Sequence, residues 1–219
     1  MKTKSTDSLK AVTGIGVFSA LAFITTLVCK FIPQVAGFLT LDAKDGVIAI
    51  ASFIYGPIAA PAISFIVAFI EFITISQTGP WGLLMNFISS TAFSLTASLI
   101  YKFRKTLNGA VIGLGVATLV TTVAMALLNI FVTPLYLGVP VEAVIELLPG
   151  VLIPFNFGKT LLNAAISLLL YKPIINAMRA AHLVAKSEHK ASFNKMTVLT
   201  LIIGGVSLFS ALLVLLIIW

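Results

Sequence analysis

Asn156, Lys159 and Asn163 stand at i, i+3 and i+7 of an apolar stretch that opens Ile-Pro-Phe-Asn-Phe-Gly-Lys-Thr. Helical spacing puts all three on one face. An asparagine amide both donates and accepts hydrogen bonds, so such a stripe suits a neutral ligand rich in carbonyls, ring nitrogens and hydroxyls. A lysine inside an apolar span costs about 2.5–3.5 kcal/mol unless it snorkels or pairs. Snorkelling accounts for Lys159 taken alone, whereas three polar residues on one stripe argue for a lined cavity. Asn86, after Trp81, Gly82 and Met85, opens another apolar stretch, and Asn129 lies late in a third, followed by Pro134 and Tyr136. Segment 38–45, Phe-Leu-Thr-Leu-Asp-Ala-Lys-Asp, alternates apolar and polar residues after Pro33 and Gly37. It reads either as a loop folded back over a bundle toward a ligand or as an ordinary solvated loop.

Catalytic signatures are absent. There is no H-E-x-x-H, no G-x-S-x-G and no G-x-x-x-x-G-K-[ST]. Without that last phosphate loop, active transport needs an ion gradient or a partner's ATP. His182 and His189 lie in a basic stretch and read as solvated surface. A proton-coupled carrier requires a carboxylate within a span, for which Glu71 and Asp45 are the candidates. The single Cys29 supports neither a disulfide framework nor a metal site, and no metal is expected.

The elements that must position these groups are membrane helices. Of 219 residues, 59% are hydrophobic and 10% charged, against about 25% charged in a soluble domain, and the mean hydropathy is +1.13. These values exclude a soluble enzyme, a nucleic-acid reader and a disordered tail. The net charge of +7 does not point to nucleic acid, because the basic residues lie between long apolar runs. A spanning helix needs about 20 apolar residues, and the clear candidates are 10–31, 81–101, 109–133, 151–171 and 196–219. Lysines before the first run resemble a signal peptide, but no persuasive cleavage site follows and the run stays as a helix. The stretch 45–76 is broken at Tyr55-Gly56-Pro57, where proline stops a helix. It reads as two short helices, about 45–55 and 58–75, at least one of which does not cross the whole membrane.

Charge supports that count of seven segments. It gathers Lys2, Lys4, Lys10, Lys102, Arg104, Lys105, Lys172, Arg179, Lys186, Lys190 and Lys195, 11 of the 14 basic residues, on one side. Asp42, Asp45, Glu71, Glu142 and Glu146 fall to the other. The positive-inside rule then makes the N-terminus cytoplasmic and places Trp219 outside. The expected organisation is a six-helix domain over 1–175, a basic cytoplasmic linker over 176–195, and an extra helix over 196–219 serving as an anchor or packing helix. The linker suits either a surface helix on anionic lipid or a tether. Gly16 and Ala20 form a small-xxx-small pair that lets another helix approach the first one closely.

In their order along the chain, Leu39-Thr-Leu-Asp-Ala-Lys-Asp45, Tyr55-Gly-Pro57, Glu71-Phe-Ile-Thr-Ile-Ser76, Gly82-Leu-Leu-Met-Asn86, Asn129 with Pro134-Leu-Tyr136, and Pro154-Phe-Asn-Phe-Gly-Lys159 with Asn163 resemble one family. It is the riboflavin-specific substrate-binding (S) components of energy-coupling factor (ECF) transporters, the RibU type. The resemblance covers about residues 9–175, and the segment 196–219 departs from the six-helix pattern. It implies an all-α integral membrane protein in a bacterial cell membrane, with six core helices and one additional C-terminal helix. It further implies capture of riboflavin from outside, as transported ligand rather than cofactor, and docking on a transmembrane coupling protein with two ATPase subunits. Delivery would follow from toppling of the S component within the lipid. By the same resemblance Leu39, Thr40 and Leu41 cap the isoalloxazine ring. Asn129, Asn156, Lys159 and Asn163 bond its pyrimidine-dione edge or the ribityl hydroxyls, with Asn86 and Tyr136 as further contacts. Gly16 and Ala20 meet the coupling protein. Alternatives from the residues themselves are an S component for another vitamin and a self-contained proton-coupled carrier; an intramembrane enzyme has no residue set behind it.

Overall fold

The computed structural model describes residues 4–183 and 195–218. The expectations placed on Lys2, Lys186, His189, Lys190, Trp219 and linker residues 184–194 lie outside them. The elements are α1 (Lys4–Cys29), α2 (Lys44–Tyr55), α3 (Ala59–Thr74), α4 (Gly79–Phe103), α5 (Leu107–Leu137), α6 (Val141–Leu147), α7 (Ile153–Ala180) and α8 (Lys195–Ile218). A π-helical turn, Leu148–Leu152, joins α6 to α7; Pro149 within it has no N–H to give to a regular α-helical ladder. The short α6 was not expected, so the sixth and seventh segments of the sequence reading are α7 and α8. The break at Gly56-Pro57 falls where proline chemistry put it. α2, with 12 residues, is about 18 Å long, well short of the roughly 30 Å hydrocarbon core.

α2 is the centre of the bundle, buried without interruption from Lys44 to Ser52. It is wrapped by α1, α3, α4 and α7. Two packing devices allow this. On α4, Ser89, Ser90, Ser94, Ala97 and Ser98 form a buried stripe of small side chains, which lets helix axes approach closely. At the α2–α7 crossing Gly46 has no room for a side chain, since a Cβ there would lie 2.8 Å from the Asn163 carbonyl oxygen. Phe18, Val47, Ile48, Ile50, Ile63 and Val67 fill the space between α1, α2 and α3. Away from this core, aliphatic and aromatic side chains such as Leu119, Val123 and Phe131 are exposed around the bundle, as lipid-facing surface requires.

Contacts along the helices give their directions. Gly46 meets Asn163 and Ser167, while Phe53 meets Tyr171, so α2 and α7 run parallel. Gly158 abuts Leu215 and Gly204 abuts Leu169, so α8 lies antiparallel on α7. The loops at 30–43, 75–78 and 138–152 therefore gather at one end, and those at 56–58 and 104–106 at the other. Lys102, Arg104, Lys105 and His182 are exposed at this second, basic end.

Asp42, Asp45 and Glu71 stand toward the end opposite the basic loops, the side to which the charge count gives them, and all three are buried inside the bundle. For Asp42 and Glu71 the reason is partner supply: Lys44 and Lys159 are buried with them, and buried charges persist where they are paired; Asp45 bonds Ser90 of α4 instead.

Candidate ligand-binding site

At the end opposite the basic loops an open cavity enters the bundle, with about 970 Å³ of atom-free space counted out to its mouth. Ligand pockets typically have mostly apolar walls and a few placed polar groups. Phe38, Leu39, Phe72, Met125 and Phe155 supply apolar wall, and the polar groups come from α3, α4, α5, α7 and the 30–43 loop.

The loop reaches this position because it turns back into the bundle. Val35 and Leu39 pair their backbones across a tight turn, and Val35, Leu39 and Leu41 then pack with Val144, Leu152 and Phe155. Irregular backbone at membrane depth is tolerated only where protein satisfies its polar groups. Asn163 does so: its Nδ2 donates to the Asp42 carbonyl at 2.9 Å, and its Oδ1 accepts from the Gly46 N–H at 2.7 Å. Ser167 donates to the Gly46 carbonyl at 3.1 Å.

A charge network forms the inner wall. The Nζ of Lys44, a side chain 1% exposed, donates to both Glu71 oxygens at 2.8 Å and lies 3.7 Å from Asp42 Oδ2. Lys159 Nζ donates to the same Asp42 oxygen at 2.8 Å. Glu71 also accepts from Thr26 Oγ1 at 3.1 Å and from Asn86 Nδ2 at 2.8 Å. The chain Lys159–Asp42–Lys44–Glu71–Asn86 thus ties α7, the loop, α2, α3 and α4 together beside the cavity. Asp45, in the first turn of α2, faces α4 instead and accepts from Ser90 Oγ.

Seven of the nine residues expected at the site line this cavity: Leu39, Thr40, Asn86, Asn129, Tyr136, Asn156 and Lys159. Leu41 and Asn163 do not. Leu41 packs behind the loop, and the amide of Asn163 is engaged by backbone of the loop and of α2 and α7. Of the three amides that line it, Asn86 is bonded to Glu71, and those of Asn156 and Asn129 are oriented but retain bonding capacity. Asn156 Nδ2 donates to the Leu152 carbonyl at 2.8 Å. Asn129 Nδ2 donates to the Met125 carbonyl, and its Oδ1 accepts from Thr133, both at 2.7 Å. An amide has two N–H donors, so each keeps one for a ligand among the described residues, and Asn156 keeps its oxygen as well.

Sequence reasoning missed Asp42 and Glu71 as cavity-lining groups and Lys44 as their common partner. The signal was present: three of the chain's seven acids and a lysine fall within 42–71, amid apolar residues where charges survive only as partners. Gly16 and Ala20 lie on the exposed face of α1, with nothing near the Gly16 Cβ position.

A bundle of membrane helices with a cavity open at one end, floored by amides and paired charges, has the construction of a transport component that binds a small molecule. The chain belongs to the family of substrate-specific components of ECF transporters, matching it over residues 10–175; that family is a transporter component, not an enzyme. Among individual proteins it is similar to the riboflavin transporter RibU of Staphylococcus aureus (strain TCH60), 31% identical over 172 residues, which cover 75% of this chain and 90% of that one. It is also similar to the riboflavin transporter FmnP of Bacillus subtilis (strain 168), 29% identical over 187 residues, 80% of this chain and 98% of the relative. A solved structure of the S component of a bacterial ECF transporter matches with a TM-score of 0.67 at 31% identity, over 78% of this chain and 99% of that one.

Proposed function

We propose that this chain is the riboflavin-binding S component of an ECF importer in a bacterial plasma membrane. The observation that carries the reading is the cavity itself, whose amides and lysine face apolar walls in a chain similar to two riboflavin transporters. Riboflavin is neutral and flat, with a pyrimidine-dione edge that both accepts and donates. Asn129, Asn156 and Lys159 are the groups proposed to meet that edge or the ribityl hydroxyls. Leu39 and Thr40 cover the ring from the loop, and Asn86 and Tyr136 complete the wall. Leu41 and Asn163 act one layer back by holding the loop in place.

The proposed orientation has the N-terminus and basic end in the cytoplasm and the cavity mouth outside, by the positive-inside rule. Import then needs a partner that spends ATP, namely a coupling protein and two ATPase subunits that topple the loaded S component. The exposed Gly16 and Ala20 on α1 are the proposed contact. Residues 1–175 are the proposed binding domain, with 176–195 as linker and 196–219 as the added helix.

The test is an absorption spectrum of the detergent-purified protein, followed by riboflavin titration read by flavin fluorescence. Yellow protein, or saturable quenching near one flavin per chain, is the expected outcome. Colourless protein that leaves added flavin fluorescence unchanged refutes the reading.

A further inference from the structure

Helix α8 lies beyond residues 10–175, the part of the chain that matches the family, and two notches fix its register on α7. A Cβ at Gly158 of α7 would lie 3.1 Å from the Leu215 side chain and 3.3 Å from that of Val214, and one at Gly204 of α8 would lie 2.8 Å from Leu169. The contacts are 11 residues apart on each helix, from 158 to 169 and from 204 to 215, which is about three turns. Each helix therefore seats a leucine at the other's glycine, and α8 cannot slide along α7 without withdrawing both.

The far end of α8 reaches the ligand cavity from behind. Leu215 is 4% exposed, whereas its neighbours Leu216 and Ile217 are 72% and 83% exposed. Leu215 belongs to the buried cluster that joins Val35, Leu39 and Leu41 of the 30–43 loop to Val144, Leu152 and Phe155, and Ile218 packs against the same cluster. Leu39 and Phe155 also line the cavity. On α7, a helix turns about 100° per residue, so Asn156, two residues before Gly158, faces the cavity from the side opposite α8. Within the loop, Val35 and Leu39 exchange backbone bonds at 2.9 and 3.0 Å, which close the turn but do not tie it to the bundle. For residues 35–41 that tie is apolar packing, to which α8 contributes Leu215 and Ile218.

We infer that α8 is a buttress of the binding loop: Leu215, with Ile218, keeps residues 35–41 seated over the cavity, which makes Leu215 a positioning residue for the ligand. The seating of the loop is independent of the solute, and its effect on ligand retention rests on the riboflavin reading.

Hydrogen–deuterium exchange of the full, ligand-free chain in detergent tests the seating. Peptides over 35–41 should exchange about ten-fold faster in Leu215→Ala, because a buried leucine cut to alanine loses more packing than a ten-fold shift requires. Ile203→Ala, on the same helix but packed on the cluster of Ala49, Phe93 and Leu168, should leave the loop unchanged. Leu215→Met, which nearly conserves volume, should restore the unaltered rate. The same four proteins are then loaded with riboflavin and its release is followed by fluorescence on dilution; Leu215→Ala alone should release it faster, again about ten-fold. Unfolding temperatures verify that each variant is folded, and Leu215→Val carries the comparison with a smaller cut if the alanine variant does not fold. Loop exchange that is unchanged in Leu215→Ala, or raised equally by Ile203→Ala, overturns the inference, as does faster exchange with an unchanged release rate. If the unaltered chain holds no riboflavin, the proposed function fails, while the exchange comparison still decides the role of α8.

Discussion

Removing one member of the Lys44–Glu71 pair is the sharpest test of how the cavity wall is held. Glu71→Gln leaves the buried Lys44 ammonium with Asp42 at 3.7 Å as its remaining anionic neighbour within ion-pair distance. Lys44→Met leaves the Glu71 carboxylate with only the neutral donors Thr26 and Asn86. Either change unbalances the ion-paired network, in which two lysines, Lys44 and Lys159, match two carboxylates, Asp42 and Glu71, while Asp45 is turned to Ser90. Breaking a buried pair from one side costs about 3–5 kcal/mol. At about 2–4 °C per kcal/mol for a chain of this size, the unfolding temperature should fall by roughly 6–20 °C in each single variant. The double variant, Lys44→Met with Glu71→Gln, restores balance and retains the 2.8 Å Asp42–Lys159 bond. It should recover at least about 2 kcal/mol relative to the sum of the singles, since replacing a whole buried pair is often nearly neutral. The assay is thermal unfolding of all four proteins in one detergent. Single variants that lose under about 1 kcal/mol, the range of a solvated pair, would refute the reasoning, as would a double variant that loses the full sum.

Lys159→Ala and Asn156→Ala should each weaken riboflavin binding about 10- to 100-fold by fluorescence titration, the range expected for a lost bond worth about 1.5–3 kcal/mol. Unchanged affinity in both would remove them from the site. Asn163→Ala should act first on stability, lowering it by about 1–3 kcal/mol in the unliganded protein, because the Gly46 N–H and Asp42 carbonyl lose their partner; full stability would show the clamp to be dispensable. Gly46→Ala should cost about 1–3 kcal/mol by overpacking against the Asn163 carbonyl, with wild-type thermal unfolding as the contrary result. Gly16→Leu, on an open face, should leave flavin affinity unchanged and reduce uptake only when the coupling module is present; undiminished uptake would place the contact elsewhere.

Much of the architecture was legible in the chain because a bilayer imposes length and polarity on every span. Apolar runs of about 20 residues marked α1, α4, α5, α7 and α8, and the proline at 57 marked the break between α2 and α3. The asymmetry of lysine and arginine separated the two ends. Helical periodicity also placed Asn156, Lys159 and Asn163 on one face, which is a property of a single element and needs no tertiary information.

What the sequence could not supply was the depth of the loop and the partner of each charge. Residues 38–45 read equally as solvated loop or as a cover, because local composition does not say whether a neighbouring helix will satisfy the backbone. Only the crossing of α2 and α7 at Gly46 brings Asn163 to the loop and takes it away from the cavity. The same holds for Lys44, Asp42 and Glu71. As isolated charges they belong at a surface; they are buried because α2, α3 and α7 converge and supply opposite charges within 2.8–3.7 Å. Spans follow from the energy of transferring a segment to lipid, which is summed residue by residue along the chain. A binding cavity depends on distances between segments far apart in that chain, and packing alone determines those.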